Sequence, residues 1–177
     1  METRYPPHVN TRPPHFDVPQ QEAYLNLWRT YDCLKSLEDE LFGQYQLSAQ
    51  QYNALRLLRA TAPEPIRTLL LAQRLISRAP DITRLLNRLE QRGLVERERS
   101  DSNRRVVEVR ITADGLQLLK EMDAQVREMH LRQLGHLDQE ELRQLTHLLQ
   151  RARRPHEDDS CDWLNEVSQK SAGQSAR

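Results

Sequence analysis

The sequence predicts a mainly α-helical chain interrupted once by a two-stranded hairpin, and three observations predict it. Apolar residues recur at helical spacing in six separate stretches, and the period shifts to β-like alternation only between Leu94 and Ile111. The composition agrees: 37% apolar but only 5% aromatic, with 29% charged, describes a polar, helix-rich chain rather than a sheet-rich one. Its 177 residues are enough for one compact core plus appendages.

The elements follow in order. Residues 1–19 carry Pro6, Pro7, Pro13, Pro14 and Pro19, too many for a helix, and are expected to form an extended arm. Residues 20–47 hold a long amphipathic helix from Gln20 to about Gly43. Leu27, Leu34 and Leu41 stand seven apart there, and Tyr24, Trp28, Tyr31 and Leu37 widen the stripe. Ser48 caps a second helix to about Ala60 bearing Tyr52, Leu55 and Leu58, after which Pro63 and Pro65 break the chain. Thr68 is placed to cap a short third helix, Leu69 to Leu75. Ser77 with Pro80 marks the start of a fourth, which runs to Arg92 and is stopped by Gly93.

Leu94 to Arg99 and Arg105 to Ile111 then read as two strands joined by the polar turn Ser100–Arg104. Thr112 caps a long fifth helix with Leu119, Met122, Val126 and Met129 on one stripe. Asp138 with Glu141 starts a sixth, bearing Leu142, Leu145 and Leu149. The chain thus divides into the arm, an N-terminal helix (20–47), a central module (48–111), C-terminal helices (112–154) and an acidic tail (155–177). That tail is expected to be largely disordered apart from a short turn at Trp163 and Leu164.

The formal net charge is zero, which alone argues against nucleic acid. Its distribution argues otherwise. Between Ile66 and Arg110, eleven arginines less six acidic residues leave +5, so the rest of the chain carries −5, part of it in the tail. A basic centre lies between acidic flanks.

Projected at 100° per residue, the fourth helix places Ile82, Leu85, Leu86 and Leu89 on one face and Pro80, Arg84, Asn87 and Gln91 opposite, with Thr83 and Arg88 flanking the polar face. That chemistry suits DNA. Arginine grips guanine or phosphate bidentately, asparagine pairs with adenine, and a threonine methyl packs on thymine. The first turn, with Arg78 beside it, would lie nearest the base edges, whereas Arg88 and Arg92 would meet phosphates. The hairpin that follows bears Asn103, Arg104 and Arg105 at its tip, as an arm entering a narrow, electronegative minor groove requires. Reading helix and hairpin together make a winged helix-turn-helix.

The run from Arg78 to Arg97 (RAPDITRLLNRLEQRGLVER), then Asn103–Val107 (NRRVV) and Ile111–Gly115 (ITADG), resembles the multiple-antibiotic-resistance regulator (MarR) family. The resemblance covers about residues 20–153 and is strongest from Thr68 to Gly115. It implies a homodimer, usually a repressor, on a pseudo-palindromic operator, with reading helices in successive major grooves about 34 Å apart and wings in the flanking minor grooves. Dimerisation falls to the long first, fifth and sixth helices, whose apolar stripes exceed what one small module buries. Arg105 matches the arginine of family wings, but Asn103 stands where their aspartate usually is, so the charge-assisted pair that would steady that arginine is lost. Family members also bind small aromatic ligands between the dimerising helices and the reading module, which makes Trp28, Tyr31 and Tyr52 the candidate lining residues.

Other classes find less support. No apolar run approaches the ~18 residues of a membrane span, and the polar start has no signal-peptide core, so the chain is expected to be cytoplasmic with no membrane partner. Cys33 and Cys161 lack metal or disulfide spacing, and Cys33 lies midway along its helix rather than near the start, where peroxide-sensing relatives carry theirs. His130, His136 and His147 form no ligand cluster. No metal site, cofactor or catalytic motif is expected, and no enzyme. The alternative is a winged-helix scaffolding module that binds protein and not DNA.

Overall fold

The computed structural model describes residues 16–76, 81–99 and 106–157. Arg78, Pro80, Asn103, Arg104, Arg105, Cys161 and the Trp163–Leu164 turn lie outside them. The elements are α1 (Pro19–Gln44), α2 (Ala49–Thr61), β1 (Ile66–Arg67), α3 (Thr68–Arg74), α4 (Ile82–Gln91), β2 (Val95–Arg99), β3 (Val107–Ile111), α5 (Ala113–Leu134) and α6 (Gln139–Arg153), with a short 3-10 turn, Arg154–His156. By its contacts the chain divides into two units, residues 1–36 and 37–177.

In the first unit, the start of α1 is held by Asp17, whose backbone N–H donates to Gln21 Oε1 at 3.1 Å. Its apolar stripe points outward: Tyr24, Leu27, Trp28 and Tyr31 are all exposed, and the Tyr24 and Trp28 rings lie 6.2 Å apart.

The second unit holds the core. Leu55 and Leu58 of α2, Leu71 of α3, Leu86 and Leu89 of α4, Val95 and Val109 of the sheet, and Leu119 and Met122 of α5 are all buried to within 2%. The predicted α5 stripe is complete, since Val126 and Met129 are buried as well. No residue of α6 is buried, and Leu148 on it is 58% exposed.

Both predicted N-caps at Ser48 and Asp138 form full capping boxes, with Gln51 and Glu141 reaching back to the cap backbone. Three local expectations change. Gly43 remains helical, and α1 ends one residue later, at Gln44, in a Schellman motif. There Leu47 N–H donates to Phe42 O and Gln46 N–H to Gly43 O, both at 3.0 Å, and Gln46 takes the left-handed φ of +53°. Leu47 and Phe42 are both buried, so burial of that pair, not the nearest glycine, decides where the helix stops. Thr68 does not cap α3; its hydroxyl donates instead to Val107 O at 3.0 Å, tying the helix to the sheet. The cap of α4 is Asp81, whose side chain accepts from Arg84 N at 2.9 Å, so the helix begins after Asp81 rather than at Ser77.

The sheet also has a third strand. Its order is β1-β3-β2, antiparallel throughout, with Ile66 opposite Val109 and Val95 opposite Ile111. The two-residue β1 follows the proline break and exists because β3 offers it an edge.

Candidate nucleic-acid interface

The fourth helix divides as its spacing predicts. Leu86 and Leu89 are buried and Ile82 and Leu85 half-buried, while Thr83, Arg84, Asn87, Arg88 and Gln91 are exposed. Arg84 and Arg88 lie one turn apart on this face, and among the described residues neither has an ion-pair partner.

Other arginines of the basic centre are committed within the fold. Arg97 donates through Nε to Glu90 Oε2 at 3.1 Å and through Nη2 to the same oxygen, joining β2 to α4. That hydrogen bond, assisted by the guanidinium charge, holds the Glu90 carboxyl below its ordinary pKa of 4.5. Arg110 pairs with Glu98 and, at 3.7 Å, with Glu96, both across the β2–β3 ladder. Arg92 donates to the carbonyls of Gln46 at 2.8 Å and Tyr45 at 3.1 Å, an internal role instead of the phosphate contact its sequence position suggested. These arginines withdraw together with the acids Glu90, Glu96 and Glu98, so the excess of charge stands while fewer arginines are free to carry it to a partner.

Reading helix and strands are fastened at one junction. The C-terminus of α4 closes on Gly93, at φ +69°, through Leu94 N–H to Leu89 O (3.0 Å) and Gly93 N–H to Glu90 O (2.8 Å). Thr112 serves two partners. Its hydroxyl accepts from Gly115 N at 3.0 Å as the α5 cap and donates to Gly93 O at 2.7 Å. Gly115 is needed for its size, because a Cβ there would lie 2.4 Å from Leu94 O and 2.7 Å from Ile111 Cγ1. The Ile111–Gly115 motif is thus the seam between wing, reading helix and α5.

Beside α4 lies a recess of about 410 Å³, lined by Ser48, Gln50 and Gln51 at the start of α2 and by Asp81, Arg84, Leu85 and Arg88. Sequence reasoning placed Ser48 only as a cap and did not single out Gln50, because nothing local in the sequence brings the start of α2 beside α4. Of the candidate ligand residues, Trp28 and Tyr31 are each 60% exposed. Tyr52 is half-buried and stacks on Phe42 at 4.5 Å between ring centroids, and burial raises its pKa above 10.0 despite the nearby Arg56 and Arg59. Among the described residues no group of histidine, cysteine and carboxylate side chains could hold a metal, and no helix is long and apolar enough to cross a membrane. Cys33 is an exposed free thiol.

Comparison with known proteins agrees with this geometry. The MarR family model matches residues 47–107. The crystal structure of a MarR transcription factor from Planctomyces limnophilus is 57% identical, over 77% of this chain and 98% of that one, with a TM-score of 0.61. Sco3205, a MarR family transcriptional regulator from Streptomyces coelicolor solved in complex with DNA, shares the fold at 18% identity, a TM-score of 0.74 and coverage of 86% of this chain and 97% of that one. The HTH-type transcriptional regulator PecS of Dickeya dadantii is 30% identical over 107 residues, 60% of this chain, and the match spans only 64% of PecS. The chain belongs to the MarR family of winged helix-turn-helix transcription regulators.

Proposed function

We propose that this regulator binds a pseudo-palindromic operator as a homodimer, acts as a repressor, and is released by a small aromatic ligand. The observation that carries the DNA-binding reading is the outward face of α4, where Thr83, Arg84, Asn87 and Arg88 stand exposed and both arginines lack an ion-pair partner among the described residues. Such a face reads base edges through Thr83, Arg84 and Asn87 and anchors on the backbone through Arg88. The adjoining recess adds the side chain of Gln50 and the first-turn amides of α2, suited to a backbone phosphate. Arg78 and Pro80 before α4, and Asn103, Arg104 and Arg105 in the wing, complete the proposed contact surface.

Dimerisation is supported by the outward apolar stripe of Tyr24, Leu27, Trp28 and Tyr31 and by an α6 that buries no residue within the chain. Two copies would supply the affinity that one module lacks. The same aromatic residues, with Tyr52, are the proposed ligand contacts.

Salt titration of binding to a duplex selected from random-sequence DNA tests the reading. A regulator of this kind loses affinity linearly in log salt, by roughly 0.9 log units per log unit of salt for each phosphate engaged. A protein that selects no duplex and shows no salt-dependent binding is not a DNA reader.

A further inference from the structure

Arg92 stands where two helices end. It is the C-cap residue of α4, and its fork reaches the carbonyls of Tyr45 and Gln46, the two residues that follow α1. Both helices close with the same device: Gln46 and Gly93 take the left-handed conformation, and Leu47 and Leu94 drop into the core behind them. The end of α1 presents carbonyls and the negative pole of its dipole, and the guanidinium carried at the end of α4 satisfies two of those carbonyls. Arginine suits this place because its planar fork meets two oxygens at fixed separation, which the single ammonium of lysine does not.

We infer that Arg92 is a positioning residue for DNA reading: by forking onto the Tyr45 and Gln46 carbonyls it fixes the angle of α4 against the end of α1, and with it the register of Arg84 and Asn87 on the operator. The inference rests on the proposed DNA-binding function. It goes further, because it makes the α1–α2 corner a determinant of site choice although that corner offers no base-reading side chain of its own. Movement at the end of α1 reaches the reading helix through Arg92, the described side chain that bonds α4 directly to that corner.

The test uses the full chain and the duplex that the parent protein selects from random-sequence DNA. Arg92→Lys and Arg92→Gln are compared with the parent for affinity to that duplex, affinity to unselected duplex, salt dependence and melting, all at a temperature where each variant is folded. Both variants are expected to lose about tenfold in the ratio of selected to unselected binding, the scale of one hydrogen bond to a charged group. The salt slope should equal the parent's, since no phosphate contact is removed. A slope reduced by roughly 0.9 per lost contact in Arg92→Gln, restored in Arg92→Lys, would make Arg92 a phosphate ligand and overturn the inference. An unchanged ratio in both variants, with only the melting temperature lowered, would reduce it to a structural staple. A parent that selects no sequence refutes the DNA-reading function itself, and does so before either variant is made.

Discussion

Replacing Gly115 with alanine probes the seam that holds wing, reading helix and α5 together. The new Cβ would lie 2.4 Å from Leu94 O and 2.7 Å from Ile111 Cγ1, so the α5 backbone must retreat by at least about 0.6 Å merely to reach a 3.0 Å contact. The atom in the way is a backbone carbonyl that already accepts from Thr112 N at 3.1 Å, so no side-chain rotation relieves the clash. Overpacking of this kind costs about 1–3 kcal/mol and a stretched hydrogen bond about 1 more, against a gain of about 0.5–1 from replacing glycine within a helix. The balance is a loss of about 2 kcal/mol, or roughly 4–8 °C in melting temperature for a chain of this size. Calorimetric melting of parent and Gly115→Ala at equal concentration measures it directly. A variant that melts at or above the parent would show that helix propensity outweighs the close approach, and the reasoning about the seam would fail.

Arg84→Ala is expected to cut discrimination between selected and unselected DNA by about 1–3 kcal/mol, whereas Arg105→Ala should weaken both more evenly; competition binding separates them, and two variants indistinguishable from the parent would remove these surfaces from the interface. Gln46→Gly should stabilise the chain by about 0.5–1 kcal/mol, because Gln46 holds a left-handed φ of +53° that glycine adopts freely; a melting temperature at or below the parent's would contradict this. The Glu90 carboxyl, held below 4.5 by Arg97, contributes stability that is fully present above pH 4.5 and is lost as pH falls through its lowered folded value. Glu90→Gln should therefore flatten the acid limb of a stability-versus-pH curve, by under about 1 kcal/mol since the pair is partly exposed, and leave stability differences above pH 5 independent of pH.

How much of this could be read from the sequence depended on whether the cause was local. The two faces of α4 were legible because burial follows the helical period, and the caps at Ser48, Thr112 and Asp138 because each acts within three residues. The end of α1 was not, since Gly43 lies in reach but the burial of Phe42 and Leu47, with Gln46 left-handed between them, fixes the stop. Strand β1 was hidden for a similar reason: two residues after a proline break carry no pattern, and only pairing with Val109 and Glu108, about forty positions on, makes them a strand. The candidate interface was legible as a set of cations but not as a set of available ones. Arg92, Arg97 and Arg110 look like Arg84 and Arg88 in the sequence, and only the fold shows that the first three are engaged internally.

The strand order has a consequence for how the protein comes into being. β3 lies between β1 and β2, which do not touch each other in the sheet, and it is the last of the three to be made. A nascent chain released from the ribosome as far as Arg99 carries α2, α3 and α4 but has no strand pairing at all. Val107–Ile111 is the shared partner of both ladders, and the residue after it, Thr112, takes its seat on Gly93. Both ladders therefore wait on β3, and with them the junction that fastens α4 to the strands.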